Sequence, residues 1–239
     1  VSRLFWNELF LPVPGRPSEK LPRLVDYRES YRLRKQELER RLKILQQEKG
    51  SEWHDFQSYV TAHPELSAYA EFRGRGKADP DLEAQIHLLA QWQMHGALTR
   101  LKETAQRRGV MWYIDLPIGV HAMGYDRAAY ARLFAQDISV GAPPDPFFRR
   151  GQNWGFPPLA PEALRKDHYR YFRAVLHNMG QYAQMIRLDH VMGFNRLFWI
   201  PNGSSARDGV YVRYPAEEFY AILTLESHRH QAILIGENL

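Results

Sequence analysis

The strongest constraint on this chain is a pattern repeated three times after residue 109. A short apolar run ends in an acidic residue, and helical stretches separate the runs. The runs are Val110-Met111-Trp112-Tyr113-Ile114 before Asp115, Gln184-Met185-Ile186-Arg187-Leu188 before Asp189, and Ala232-Ile233-Leu234-Ile235-Gly236 before Glu237. Runs of this length, mostly apolar and ending in a polar residue, read as buried parallel strands. Pro161-Glu162 opens a predicted helix reaching about Gln181, with Leu164, Phe172, Val175, Leu176 and Met179 inward. A second helix is predicted over about Ala216 to His230. The intervals Pro117 to Pro161 and His190 to Pro215 read as loop excursions. Strands alternating with helices call for a parallel sheet with helical crossovers. The acidic residues then fall at strand C-terminal ends, where both (β/α)8 barrels and open doubly wound sheets carry their sites. Neither a G-x-G-x-x-G nor a G-x-x-x-x-G-K-[ST] stretch occurs, which removes support for dinucleotide and P-loop chemistry.

Residues 1–109 read differently, as a helix-rich N-terminal part preceding a central segment at 110–239. Pro12, Pro14, Gly15, Pro17 and Pro22 make the first stretch loop-rich. Helices are predicted over about Asp26 to Gln47, with Tyr27, Tyr31, Leu38, Leu42 and Leu45 inward, over 51–73 with a break near Pro64, and over about Leu82 to Arg108, stopped by Gly109. Residues 16–49 carry eleven Lys or Arg against six Asp or Glu, which accounts for the whole net charge of +5. A basic stripe can contact nucleic acid. The acidic residues interleaved with these bases favour a solvated helix, and no nucleic-acid partner is expected.

The absence of cysteine excludes a disulfide framework, cysteine zinc sites and thiol catalysis. It is compatible with a reducing, cytoplasmic setting. No apolar run is long enough for a membrane span, and the start lacks a signal-peptide pattern. The chain lacks an initiator Met and stops directly after an apolar run, so both ends read as cuts in a longer protein. Glu226, His228 and His230 lack the H-x-x-x-H spacing of a helical metal site and read as surface or packing residues. Trp199 reads as core, and Tyr211 and Tyr214 as packing residues or sugar platforms.

Several of these segments resemble one family. Arg187-Leu188-Asp189-His190-Val191-Met192-Gly193 is similar to the R-x-D-H-x-x-G/S stretch of 4-alpha-glucanotransferases of the amylomaltase and disproportionating-enzyme type. Trp199-Ile200-Pro201, Gly141-Ala142-Pro143-Pro144-Asp145, Gly151-Gln152-Asn153-Trp154-Gly155, Asp115-Leu116-Pro117-Ile118-Gly119-Val120 and Ile235-Gly236-Glu237-Asn238-Leu239 resemble further stretches of the family, in its order. Asn238 stands where many relatives have Asp. The resemblance implies an α/β fold, part of a (β/α)8 barrel with helical insertions, with strands before and after the segment absent. It implies transfer of α-1,4-glucan segments between maltodextrin or glycogen-like chains, with no cofactor and no metal. The alternatives are an α-glucan hydrolase of the α-amylase superfamily and a non-catalytic glucan-binding fragment. A third carboxylate of the family pattern would lie beyond Leu239, so the chain alone is expected to be inactive.

Retaining cleavage of a glycosidic bond needs two carboxyl groups about 5–5.5 Å apart. Asp189, at a strand end and within the motif, is the expected nucleophile. Glu237, 48 residues later, is the expected acid/base. Arg187 shares a strand face with Asp189 and is expected to keep it ionised. His190 and Asp115 are expected to hydrogen-bond sugar hydroxyls, and Gln152, Asn153 and Trp154 to line the sugar sites, Trp154 by stacking.

Overall fold

The computed structural model describes residues 2–12 and 24–237; the expectations for residues 13–23 and for Asn238 and Leu239 lie outside the described residues. The chain divides into two compact units, Trp6–Leu101 and Val1–Phe5 with Lys102–Leu239. This division falls inside the last N-terminal helix, earlier than the expected boundary at 109/110, and takes the first residues into the later unit.

Helices dominate the Trp6–Leu101 unit. They are α1 (Tyr27–Glu48), α2 (Ser51–Ala62), α3 (Glu65–Gly74) and most of α4 (Pro80–Arg107). The Asp26 carboxylate caps α1 by accepting from the Glu29 N–H at 2.9 Å. Leu38, Leu42 and Leu45 put one stripe of α1 into a core shared with Phe56, Leu66, Ile86 and Leu89. Tyr27, expected inward, is exposed, because it sits in the first turn, before that stripe begins. The excess bases of α1 pair along its surface: Arg32 with Glu29, Arg40 with Glu37 and Lys43 with Glu39. That is the interleaved solvated face the sequence suggests.

This helical unit buries charge. Glu8 and His87 are almost fully enclosed. The Arg73 guanidinium binds the Glu8 carboxylate and the Tyr69 hydroxyl, the latter at 2.7 Å. Burial, with Arg73 nearby, pushes His87 down to about 4. The unfolded chain, with an ordinary imidazole near 6.5, binds a proton that the folded chain refuses between these values. Stability supplied by neutral His87 is therefore present at pH 7 and lost as pH falls toward 4. His87→Gln is expected to flatten that acid loss by about 2–3 kcal/mol, measured as denaturant midpoints at pH 7 and pH 4.5. Equal losses in both proteins would show that His87 does not titrate during unfolding.

In the later unit the elements are β1 (Tyr113–Leu116), α5 (Tyr125–Ala129), β2 (Ile138–Ala142), β3 (Gln152–Asn153), α6 (Pro161–Lys166), α7 (Arg170–Gly180), β4 (Met185–Leu188), β5 (Arg196–Pro201), β6 (Val210–Arg213), α8 (Ala216–His230) and β7 (Ile233–Gly236). β4 is central in a parallel sheet of order β1-β4-β7. Its register aligns Asp115 with Arg187 and Arg187 with Ile235. Side chains alternate across it. Ile114, Leu116, Ile186 and Leu188 are buried. Ile186 and Leu234 share a pocket with Leu176 of α7 and Leu223 of α8. Tyr113, Asp115, Arg187 and Ile235 occupy the opposite face by register. Gly180 lets α7 and α8 approach closely, since a Cβ there would sit 2.5 Å from the His230 ring.

β1 begins at Tyr113, later than expected. Gly109, with φ of 65°, ends α4 in a wrapped turn in which the Val110 N–H returns to the Ala105 carbonyl at 3.0 Å. Val110 and Met111 are left exposed. The single helix expected over 161–181 is two helices. His168 and Tyr169 both adopt left-handed backbone, and the Asp167 carboxylate accepts the Tyr171 N–H at 3.0 Å, so local capping outcompetes continuation. The two excursions are not loops throughout. They pair with each other in an antiparallel sheet of order β3-β2-β5-β6, around Val140, Phe198, Ile200 and Ala206. Trp199 is half-buried rather than core, with its indole N–H on the Tyr214 hydroxyl at 3.2 Å. Tyr214 is buried and donates to the Leu159 carbonyl at 2.6 Å, a packing role, while Tyr211 lies against Phe198 and beneath Arg196.

Candidate active site

β1, β4 and β7 run parallel, so their C-terminal ends meet on one side of the sheet. Asp115 lies on β1, Asp189 follows β4 and Glu237 follows β7. Backbone bonds carry the sheet pattern past the strands. The Asp189 N–H donates to the Leu116 carbonyl at 3.1 Å, and the Glu237 N–H to the Leu188 carbonyl at 3.0 Å.

Arg187 gathers the three carboxylates. One guanidinium nitrogen donates to Asp115 Oδ1 at 2.5 Å. The other binds Glu237 Oε1 and lies 3.6 Å from Asp189 Oδ1. These side chains are partly exposed, Arg187 at 25%, Asp189 at 31% and Glu237 at 20%, so they are enclosed yet reachable by solute. Arg187 was expected to serve Asp189. Its tight partners here are Asp115 and Glu237, because the strand register sets Asp115 directly beside it and Glu237 ends the strand on its other side.

The charge balance follows from this placement. Asp189 is raised above the usual carboxylate range, first by burial and further by Glu237 and Asp115, while the Ile118 N–H on its Oδ2 at 3.2 Å opposes the rise. Glu237 is lowered, first by the His190 N–H on its Oε2 at 3.2 Å, with help from Asp189 and Arg187. Of the two carboxyls, Asp189 therefore holds a proton to higher pH than Glu237 does. Interacting carboxyls titrate as a pair, so moving the guanidinium from one to the other moves the proton as well.

His190 has left-handed backbone, with φ of 50°, which turns its N–H toward Glu237. Burial lowers its imidazole below the usual value. Its ring meets the Trp154 edge at a centroid distance of 5.4 Å. Trp154 also stacks near Phe156, and its indole N–H donates to Gln152 Oε1 at 3.2 Å. Gln152 and Trp154 thus join the carboxylates through His190. Asn153 is occupied otherwise: its Oδ1 accepts from the Ser139 hydroxyl at 2.6 Å and the Gly155 N–H at 2.9 Å, holding the turn after β3. Sequence reasoning missed the backbone donors at Ile118 and His190. Every residue but proline carries an N–H, so no residue type marks them. His230 lies against Glu226 and His177, away from these strand ends, as a packing group.

Parallel strands, helical crossovers and carboxylates converging at strand C-termini are the features of a segment of a (β/α)8 barrel, with the candidate site at the customary end. A sequence profile of the glycoside hydrolase 77 family, described as 4-alpha-glucanotransferase, matches residues 75–239. The chain belongs to this family of 4-alpha-glucanotransferases. It is 37% identical over 193 residues to a Mycobacterium tuberculosis 4-alpha-glucanotransferase, covering 80% of this chain and 26% of that relative. It is 39% identical over 157 residues to one from Haemophilus influenzae, covering 65% of this chain and 22% of the relative. The structure of an amylomaltase from Corynebacterium glutamicum superposes with a TM-score of 0.81 at 28% identity, covering 100% of this chain and 39% of that one. A Streptococcus agalactiae amylomaltase, solved in complex with acarbose, shares the fold with a TM-score of 0.78 at 21% identity, covering 92% and 51%. The chain spans about a quarter of the length of the curated relatives. Among the described residues no helix is long and apolar enough to cross a membrane.

Proposed function

We propose that the native protein transfers α-1,4-glucan segments between maltodextrin or glycogen-like chains by a retaining double displacement. The observation that carries this reading is the joint hold of Arg187 on Asp189 and Glu237 at adjacent strand ends. Two carboxyls that reach one guanidinium nitrogen favour the close spacing of retaining enzymes over the roughly 6.5–9.5 Å gap that inverting enzymes leave for a water. Asp189 attacks the anomeric carbon, and the glycosidic C–O bond breaks as Glu237 delivers its proton to the leaving oxygen. The acceptor's 4-hydroxyl then returns a proton to Glu237 as its oxygen displaces Asp189. Asp115 and His190 hold hydroxyls of the reacting sugar. Trp154 offers an aromatic face, with Gln152 beside it.

The first step needs Asp189 ionised and Glu237 protonated, the reverse of the order in which the two carboxyls hold a proton here. Arg187 is 3.6 Å from Asp189, so turning its guanidinium from Glu237 to Asp189 supplies the required state. A sugar whose glycosidic oxygen approaches Glu237 favours that turn by needing the proton there.

Transfer and hydrolysis differ only in the acceptor. With maltotriose as sole substrate, the native protein is expected to release glucose together with maltodextrins longer than three units. Chromatography that finds only glucose and maltose would assign it to the hydrolases. No change in maltotriose, with bound glucan detected by calorimetry, would support the non-catalytic reading.

A further inference from the structure

The site leans on a segment far away in sequence. Asp126 on α5 has no exposed surface. Its carboxylate accepts from the Ser2 hydroxyl, from the Arg3 N–H at 2.9 Å and from the Tyr171 hydroxyl at 2.8 Å. The Asn178 amide donates to the Arg3 carbonyl at 3.0 Å. Both backbone groups of Arg3 are therefore fixed, and the residue is buried. Its guanidinium donates to the Ile118 carbonyl and, at 3.3 Å, to the Gly119 carbonyl. Arg3, Ile118 and Asp189 line one cavity of about 50 Å³. The Ile118 N–H is the one that donates to Asp189 Oδ2.

A purely structural reading is that Arg3 anchors the first residues. That anchor is already complete without the side chain, through Ser2, the Arg3 backbone, Asp126 and Asn178. A buried guanidinium is costly unless its donors are used, and Arg3 Nε and Nη2 both donate to the loop that touches Asp189. The planar fork reaches two successive carbonyls, which fixes the orientation of the loop as well as its distance.

We infer that Arg3 is a positioning residue for Asp189: by pinning the Ile118 and Gly119 carbonyls it holds the Ile118 N–H on Asp189 Oδ2 and sets that carboxylate for attack. The inference rests on the nucleophile reading of Asp189. The Ile118 bond also favours the ionised carboxylate, against burial and against Glu237. Losing it has a direction that an anchor alone does not predict: the Asp189 titration moves up.

The test compares the native protein with Arg3→Met and Arg3→Lys. Amide exchange at Ile118 and carbon NMR titration of the Asp189 carboxyl report the geometry. Initial rates on maltotriose report the chemistry. Arg3→Met is expected to speed Ile118 exchange by about tenfold. The Asp189 midpoint should rise, and kcat should fall about tenfold or more with KM changed less than about twofold. Arg3→Lys keeps the cation and loses the fork, so it should move each quantity in the same direction by less. Wild-type exchange and titration in a folded Arg3→Met would overturn the inference and leave Arg3 an anchor. Should Arg3→Met fail to fold, Arg3→Lys decides by the same two NMR readings. If both readings shift but the native protein transfers no glucan, the nucleophile reading fails while the positioning contact stands.

Discussion

Asp189→Asn is expected to abolish covalent labelling by a fluorinated glycosyl donor and to lower glucan transfer by on the order of 10⁴-fold, as for other residues that act as one catalytic unit. The substitution is nearly isosteric. Its side-chain oxygen can still accept the Ile118 N–H that now meets Asp189 Oδ2. The sheet bond from its own N–H to Leu116 is untouched. Thermal unfolding should therefore change little while chemistry is lost, which separates a missing nucleophile from a collapsed site. The experiment reads the labelled peptide by mass spectrometry. Label retained by the Asn variant, or mapped to Glu237 or Asp115 in the native protein, would reassign the nucleophile.

Glu237→Gln should fail differently. A glucan leaving group needs its oxygen protonated as the bond breaks, and general acid catalysis is worth about 10²–10⁴-fold. The variant should lose about that much with maltodextrins. It should keep far more of its first step with an α-maltosyl fluoride donor, because fluoride departs without a proton. Gln also removes the neighbouring carboxylate that helps raise Asp189. The acidic limb of the fluoride reaction should accordingly move to lower pH, since Asp189 then ionises more readily. Equal losses with both donors would mean that Glu237 is not the acid, and an unmoved limb would mean that the two carboxyls do not interact in solution.

The candidate site was legible in the sequence to an unusual extent because its charged side chains sit on strands or directly after them. A strand is a local object: three apolar runs ending in Asp115, Asp189 and Glu237 specify the strand ends, and parallel pairing brings those ends to one side. Helices α1, α4 and α8 were readable within two residues at each end, since capping and apolar spacing are also local. The antiparallel sheet was not. β2 pairs with β5 across more than fifty residues, and each strand alone looks like any loop carrying a few apolar groups. The break at His168 and Tyr169 was missed because an Asp that caps and an Asp in a helix look the same in a one-dimensional pattern.

By itself the sequence determined which residue types stand at the strand ends, and through its ordered motifs the family to which the chain belongs. Only the tertiary structure decided which carboxylate Arg187 grips, that Asn153 is committed to a turn, and that Arg3 reaches the loop beside Asp189. The reason is physical. Local order follows from backbone preference and the periodicity of apolar side chains, both written along the chain. Partnership among charges follows from strand register and from backbone N–H and carbonyl groups that every segment carries alike, so it exists only once distant segments have packed.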